Sequence, residues 1–201
     1  MSQLLQISSS VFGRDGVSNQ LADRFVAHWQ TMNPDGGVTH RDLILQPLPH
    51  LNGALIGALM TPEEERSTEQ QQQVALADTL IAEIQQADIL VLGAPMYNFT
   101  VPTQLKGWFD HIARAGTTFR YTEQGVEGLL GGKQVYVFAS FGGRHSGQAS
   151  DGVTPWLRTM LGFLGMDEVR FIHAEGLSQG AQARAEGIAT AERQLATLLT
   201  A

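Results

Sequence analysis

The stretch ILVLGAPMYNFTVPTQLKGWFD, residues Ile89 to Asp110, decides how this chain folds. Ile89 to Leu92 is a short, unbroken run of branched apolar residues. A strand of that composition is buried on both faces, as strands of parallel sheets are. Gly93-Ala94-Pro95 ends the pairing, and Met96-Tyr97-Asn98-Phe99 follows as a loop with two aromatic rings and an amide. Pro102 stands where a helix begins, and Leu105, Phe109, Ile112 and Ala113 then recur at helical spacing. Strand, loop and helix make one βα unit, and in open α/β sheets ligands sit beyond the carboxyl ends of the strands. The loop's flat side chains suggest a planar ring ligand.

The same alternation runs outward in both directions. Leu4 to Ser8 reads as a first strand, and Ser18 as the N-cap of a helix with Leu21, Phe25, Val26 and Trp29 on its buried stripe. Asn33-Pro34-Asp35-Gly36-Gly37 stops that helix, and Val38 to Ile44 reads as a second strand. Residues 45–65 are irregular, with a short helix expected within Leu51 to Met60, and such a long excursion is usually functional or an interface. Thr61-Pro62-Glu63-Glu64 reads as the start of a longer helix, its acidic residues suiting the dipole. Gly116 to Gly128, with Phe119, Arg120 and Tyr121, reads as a hairpin-like excursion. Gln134 to Ser140 is a fourth core strand and Val169 to Ala174 a fifth. A helix marked by Trp156, Met160, Leu161 and Phe163 ends at Gly165, and a last one covers Ala181 to Ala201.

Five strands alternating with helices predict a doubly wound parallel sheet, and the count suits the flavodoxin-like order 2-1-3-4-5. The whole chain, 1–201, reads as one domain with no internal repeat or linker. Its 43% hydrophobic and 16% charged residues are those of a globular protein. A net charge of −7 argues against a general nucleic-acid binder, which needs clustered Lys and Arg. With no cysteine there is no thiolate metal site or thiol nucleophile. No signal-peptide pattern and no membrane-length apolar run are present, so a cytoplasmic protein is expected.

In that strand order the exit loops Ser9–Ser18, Ala94–Val101 and Phe141–Ser150 gather at one crevice. The first offers Ser9, Ser10 and Ser18 hydroxyls and the Gly16 to Ser18 amides at a helix start, which suits a phosphate. The second offers Met96, Tyr97 and Phe99 as apolar walls and Asn98 as a polar group. The third offers Gly142 and Gly143, whose missing side chains admit a flat ligand. Each loop has an ordinary explanation: serines cap and turn, Tyr97 and Phe99 could be core, Gly pairs mark turns. Together they describe a phosphorylated aromatic cofactor, and flavin mononucleotide (FMN) fits best. There is no GxGxxG after the first strand, no GxxxxGK[ST], no GxSxG and no HExxH-type metal spacing. Of six histidines, His145 has the best case for a role because it follows the Gly pair.

The chain also resembles, over essentially its full length, the bacterial FMN-dependent NADH:quinone oxidoreductases, also called azoreductases. The resemblance is carried by Ser8-Ser9-Ser10 with Ser18-Asn19-Gln20-Leu21, by Ala94-Pro95-Met96-Tyr97-Asn98-Phe99, by Arg114-Ala115-Gly116 with Thr118-Phe119-Arg120-Tyr121-Thr122-Glu123, by Ser140-Phe141-Gly142-Gly143, and by Ala174-Glu175-Gly176. It implies a homodimer with one FMN per subunit and active sites at the interface. It implies FMN contacts from Ser10, Gly16, Val17, Ser18, Met96, Tyr97, Asn98, Phe99, Ser140, Phe141, Gly142 and Gly143. Phe119, Tyr121 and Phe163 would help form the substrate pocket, partly across the dimer, with Tyr121 and His145 orienting the acceptor. NADH or NADPH would donate hydride and a quinone or azo compound would accept it, so no side chain need act as nucleophile or essential base. One departure is that Gly16 and Val17 stand where family members carry more polar side chains, and Asp15 adds a negative charge that Arg14 could offset. The alternative from another class is a flavodoxin-type carrier of single electrons, and a flavin-free signalling or binding domain of the same fold is a third possibility. The outer face of the helix after Pro102, with Gln104 and Trp108, is a further expected dimer surface.

Overall fold

The computed structural model describes residues 1–200. Five parallel strands, β1 (Gln3–Ser8), β2 (Gly37–Asp42), β3 (Ile89–Pro95), β6 (Gln134–Ser140) and β7 (Val169–Ala174), form one sheet in the order β2-β1-β3-β6-β7. Counting core strands alone, that is 2-1-3-4-5, the expected order. Between β3 and β6 a separate antiparallel hairpin, β4 (Phe119–Thr122) and β5 (Gly125–Gly128), stands outside the sheet.

The apolar run of β3 is explained by alternation across a sheet covered on both sides. Leu90 and Leu92 face one core, with Leu5, Ile7, Val135 and Val137 from neighbouring strands. That core is closed by helices α3 (Thr68–Gln86), α4 (Thr103–Ile112) and α5 (Thr154–Phe163). Val91 faces the opposite core with Leu4, Tyr136, Phe138 and Ile172, beneath α1 (Val17–Met32) and α6 (Ala181–Leu199). Ala201, which the sequence reading placed in the last helix, lies outside the described residues.

Several boundaries differ from expectation, each for a local reason. The helix after Thr61 is delayed: Glu63–Glu65 make one 3-10 turn, and α3 starts only after Ser67. Ser67 and Gln70 form a reciprocal capping box there, satisfying two N–H groups at once. The short helix α2 (Gly53–Met60) is capped by Asn52, whose side chain accepts from Leu55 N–H at 2.9 Å. Helix α1 is capped by Gly16 and not by Ser18, which lies inside its first turn. Trp108 was expected on a dimer surface but is fully buried, because α4 is flanked by layer-mates on both sides. Its ring meets Phe109 at 4.9 Å, and Phe109 meets Trp156 of α5 at 5.3 Å.

The hairpin is fastened at its base by backbone. Leu130 N–H donates to the Leu164 carbonyl at 2.9 Å at the end of α5. A Cβ on Gly128 would lie 2.0 Å from the Gly165 nitrogen, and Gly165 has φ +89°. Only paired glycines allow the two chains to touch so closely.

Candidate active site

Three hydroxyls end β1, and the fold gives each a different task. Ser8 Oγ pairs with His40 Nε2 at 2.9 Å on the β2 side. Ser9 Oγ is buried and donates to the Gly93 carbonyl at 2.6 Å, tying β1 to β3 where their pairing ends. Only Ser10 lines the crevice between β1, β3 and β6. Its Oγ lies 3.1 Å from the Tyr97 hydroxyl and accepts from Phe12 N–H at 3.3 Å, while Val11 N–H donates to Tyr97 Oη at 3.3 Å. This pattern lets Ser10 accept twice and keep its own proton for an outside acceptor.

The crevice has a volume of about 330 Å³ and is lined by Ser10, Phe12, Asp15, Gly16, Val17, Pro95, Met96, Tyr97, Ser140, Gly142, Leu177, Ser178 and Arg184. Seven of the twelve residues expected to hold a cofactor therefore face one hollow. Gly16 is required here, since a Cβ would lie 2.2 Å from Ser10 Oγ. Its N–H is spent on the Gly13 carbonyl at 3.2 Å, so the free amides of this loop belong to the first turn of α1 and not to Gly16. Asn19 Nδ2 also donates to the Gly13 carbonyl at 2.9 Å, bracing the loop. Ser18 is completely buried behind it, and its Oγ has no hydrogen-bond partner among the described residues. A buried hydroxyl without a partner costs about 1–3 kcal/mol, a cost relieved when an acceptor arrives. An anion at the amide end of α1 is such an acceptor. On that observation the loop fits the phosphate of FMN.

The second loop is a strained turn. Tyr97 and Thr100 exchange both backbone bonds, at 3.0 and 3.2 Å, around a two-residue tip of Asn98 and Phe99. Both tip residues have positive φ, 49° and 69°. That is the primed hairpin geometry which asparagine tolerates and a ring-bearing residue does not favour. The turn is held by its neighbour: a Cβ on Gly152 would lie 2.0 Å from the Phe99 carbonyl oxygen. Phe99 is 61% exposed, so the core role left open for it by sequence is not the one it has.

The third loop is zipped onto the chain after β7. Leu177, Ser178 and Gly176 N–H groups donate to the carbonyls of Phe141, Gly142 and Gly143 at 3.1, 2.9 and 2.8 Å. The Gly142 and Gly143 N–H groups stay free of partners among the described residues, as a flat polar ligand edge requires. Phe141 itself turns into the core, fully buried, with its N–H donated to Ala174. Glu175 accepts from the N–H groups of His145 and Ser146 at 2.6 and 2.8 Å. The His145 ring is thereby set against Phe99, 5.7 Å between centroids and near perpendicular, with Nδ1 2.8 Å from Ser150 Oγ.

Phe119, Tyr121 and Phe163 do come together, at 5.6 and 4.5 Å between ring centroids. None of them lines the crevice of its own chain, and Tyr121 is 75% exposed. Sequence reasoning missed Phe12, Pro95, Leu177, Ser178 and Arg184. Leu177 and Ser178 follow the fifth core strand, so the rule that found the other three loops could have found them. Nothing local marks Arg184. Among the described residues no His, Asp or Glu cluster could hold a metal ion.

Comparison with known proteins identifies the family. Residues 2–199 match the family described as flavodoxin-like fold. The chain is 50% identical over 198 residues to an FMN-dependent NADH:quinone oxidoreductase of Burkholderia thailandensis, covering 98% of this chain and all of that one. It is 48% identical over 201 residues to the protein of the same name in Pectobacterium atrosepticum, covering the whole of both. The crystal structure of an azoreductase from Bacillus anthracis superposes with a TM-score of 0.90 at 26% identity over 99% of each chain. By sequence and by fold, the chain belongs to the flavodoxin-like family of FMN-dependent NADH:quinone oxidoreductases and azoreductases.

Proposed function

We propose that this chain is an oxidoreductase that uses FMN to pass a hydride from NADH to quinones and azo compounds, two electrons at a time, donor and acceptor taking turns. The observation that carries the proposal is Ser18: a completely buried hydroxyl without a partner, at the amide end of a long helix, beneath a crevice walled by Met96 and Tyr97. Ser10, Val17 and Ser18 hold the phosphate, by hydroxyl and by backbone, and Gly16 leaves the room beside Ser10 that a side chain would fill. Met96, Tyr97, Asn98 and Phe99 hold one edge of the ring system, and Ser140, Phe141, Gly142 and Gly143 support the other, Phe141 from below. When bound, FMN supplies hydride acceptance and release, and the protein supplies position and electrostatics. The free N–H groups of Gly142 and Gly143 aim fixed dipoles at charge that builds on a bound ring. His145, held by Glu175 and Ser150, stands beside Phe99 to orient the acceptor. No side chain is needed as a nucleophile.

The protein acts as a homodimer, each site completed by its partner. Leu51, Ile56 and Met60 around α2 and Tyr121 and Val126 on the hairpin are large apolar residues left 40–80% exposed, surface that a partner subunit would cover. The Phe119–Tyr121–Phe163 cluster is then the substrate wall offered across the interface. The reading is of a cytoplasmic enzyme of small molecules, and the net charge of −7 is the wrong sign for a general nucleic-acid binder.

The purified protein given FMN should be yellow, absorbing near 450 nm, roughly where flavins do, and should oxidise NADH steadily when a simple quinone is supplied. A protein that stays colourless with FMN overturns the site. A yellow protein that passes electrons singly to a protein partner, with no quinone turnover, overturns the enzyme in favour of a carrier.

A further inference from the structure

The crevice has two charged lining residues, Asp15 and Arg184. Asp15 stands beside the loop assigned to the FMN phosphate, and its charge opposes a phosphate. The sequence nominated Arg14 as the compensating cation, but Arg14 faces a separate cavity with Asp23, His40 and Asp42. Arg184 comes from the first turn of α6, well over a hundred residues later, and lines the crevice together with Asp15, Gly16 and Val17. Its guanidinium is exposed and makes one marginal bond, Nη1 to the Leu177 carbonyl at 3.5 Å. It forms no salt bridge among the described residues, as several other arginines of the chain also do not, and what sets it apart is that it lines this crevice. The second observation is the buried, unpartnered Ser18 hydroxyl at the amide end of α1, an open hydrogen-bond donor next to the Gly16 and Val17 lining of the same crevice. A planar fork with unused donors, facing that loop across the hollow, matches phosphate geometry.

We propose that Arg184 is the cationic half of the FMN phosphate site, clamping the phosphate against the first turn of α1 and offsetting Asp15. The role rests on the reading of the crevice as the FMN site. It explains how a loop with Gly16 and Val17 in place of polar side chains holds a doubly charged group: the missing donors are supplied from α6. It also ties α6 to cofactor occupancy, since Arg184 bridges two helices only through the anion.

The test compares FMN with riboflavin, which has the same ring and no phosphate. Apoprotein affinities for both are measured by quenching of flavin fluorescence in wild type, Arg184→Gln, Arg184→Lys and Arg184→Gln/Asp15→Asn. Arg184→Gln should weaken FMN binding by about 10- to 100-fold, the range for losing a charged hydrogen-bond partner, and leave riboflavin unchanged. Lysine should recover part of the loss, and Asp15→Asn should recover part of it in the double variant. Because Arg184 is exposed, the variants should fold, and the thermal midpoint of the apoprotein checks this. Equal weakening of FMN and riboflavin, or no weakening of either, overturns the proposal. So does an unchanged FMN affinity with a raised KM for NADH, which would assign the arginine to the donor. A wild-type protein that binds neither flavin instead defeats the site reading on which the proposal rests.

Discussion

Two hollows flank the end of β1, and the smaller one has the chemistry. The larger, about 530 Å³, opens between β1 and β2 and is lined by polar side chains including Ser8, Asp23, His40 and Asp42. Most are already paired, although Arg14 has no side-chain partner among the described residues and Asn19 Oδ1 is buried without one. Ser8 holds His40, Asp23 accepts from Gln6 Nε2 at 2.6 Å, and Asp42 Oδ1 accepts from Ile44 and Leu45 N–H at 2.8 and 3.1 Å. Around the smaller hollow, between β1, β3 and β6, stand a buried hydroxyl without a partner, two free glycine amides and a strained aromatic tip, Gly142 among them in the lining itself. Volume does not distinguish a binding site from a gap between surface side chains. Unsatisfied donors and stored strain do, because each is an unfavourable term that a ligand can relieve.

Two serines ten residues apart, Ser18 and Ser8, should therefore behave in opposite ways. Ser18→Ala should weaken FMN binding by about 10- to 100-fold, while apoprotein stability stays level or rises by up to about 1 kcal/mol, since a hydroxyl buried without a partner is removed. Ser8→Ala should do the reverse, costing the apoprotein about 1 kcal/mol for the lost bond to His40 and leaving FMN affinity alone. Flavin titration and denaturant unfolding of both variants measure this. Should Ser18→Ala destabilise the apoprotein and still bind FMN normally, the contrast between the hollows collapses.

The next largest effect sharpens the strain half of the contrast. At Phe99, glycine adopts φ near 69° freely and alanine does not. Phe99→Gly should therefore be more stable than Phe99→Ala by about 1 kcal/mol, in urea unfolding of the apoprotein. Both should raise the KM for a quinone, because the exposed ring at the tip is gone. A glycine variant no more stable than the alanine one would show that Gly152 and the Tyr97–Thr100 bonds do not hold the tip under strain.

The outcome also shows where sequence reading succeeds and stops. The strand order and three of the converging loops were legible because they rest on local signals: apolar runs of strand length, Gly and Pro at their ends, helical spacing after them. Trp108 was misassigned for want of a tertiary fact. A helix with neighbours on both sides buries more than one stripe, and the spacing of its apolar residues marks only one of them. Ser18 was read as a cap because serine before an apolar-periodic stretch usually is one, yet Gly16 takes that position since Ser10 leaves no room for a side chain there. The same residue was thus found for one reason and matters for another. Arg184 was invisible because its neighbours in space lie far away along the chain.

The smallest effect concerns pH, at the edge of the sheet beyond the His145 loop. Burial holds His173 below the ordinary histidine range, with Asp151 and Glu175 partly opposing that. Burial alone would raise Asp151, but bonds from Thr154 and Val153 at the start of α5, with His173 nearby, outweigh it and hold it below the usual carboxylate range. In both cases the unfolded chain binds protons more readily than the folded one, so the stability each group contributes is complete above its unfolded value and is lost as pH falls through the folded one. Thermal midpoints should decline on acidification, first below about pH 6.5 through His173 and again below about pH 4 through Asp151. His173→Asn should flatten the upper decline. A midpoint that rises between pH 7 and pH 5 would contradict the sign.

The glycine pair that joins the hairpin to the end of α5 bears on how such an enzyme can diversify. Any side chain at Gly128 or Gly165 would collide with opposing backbone, so the base of the hairpin is closed to substitution. Its tip, from Tyr121 to Val126, is exposed and touches little of its own subunit. Mutation is thus channelled to the end that would meet a substrate. A lineage could exchange one acceptor for another by redrawing a few residues at the tip, while the strands that hold the cofactor stay as they are.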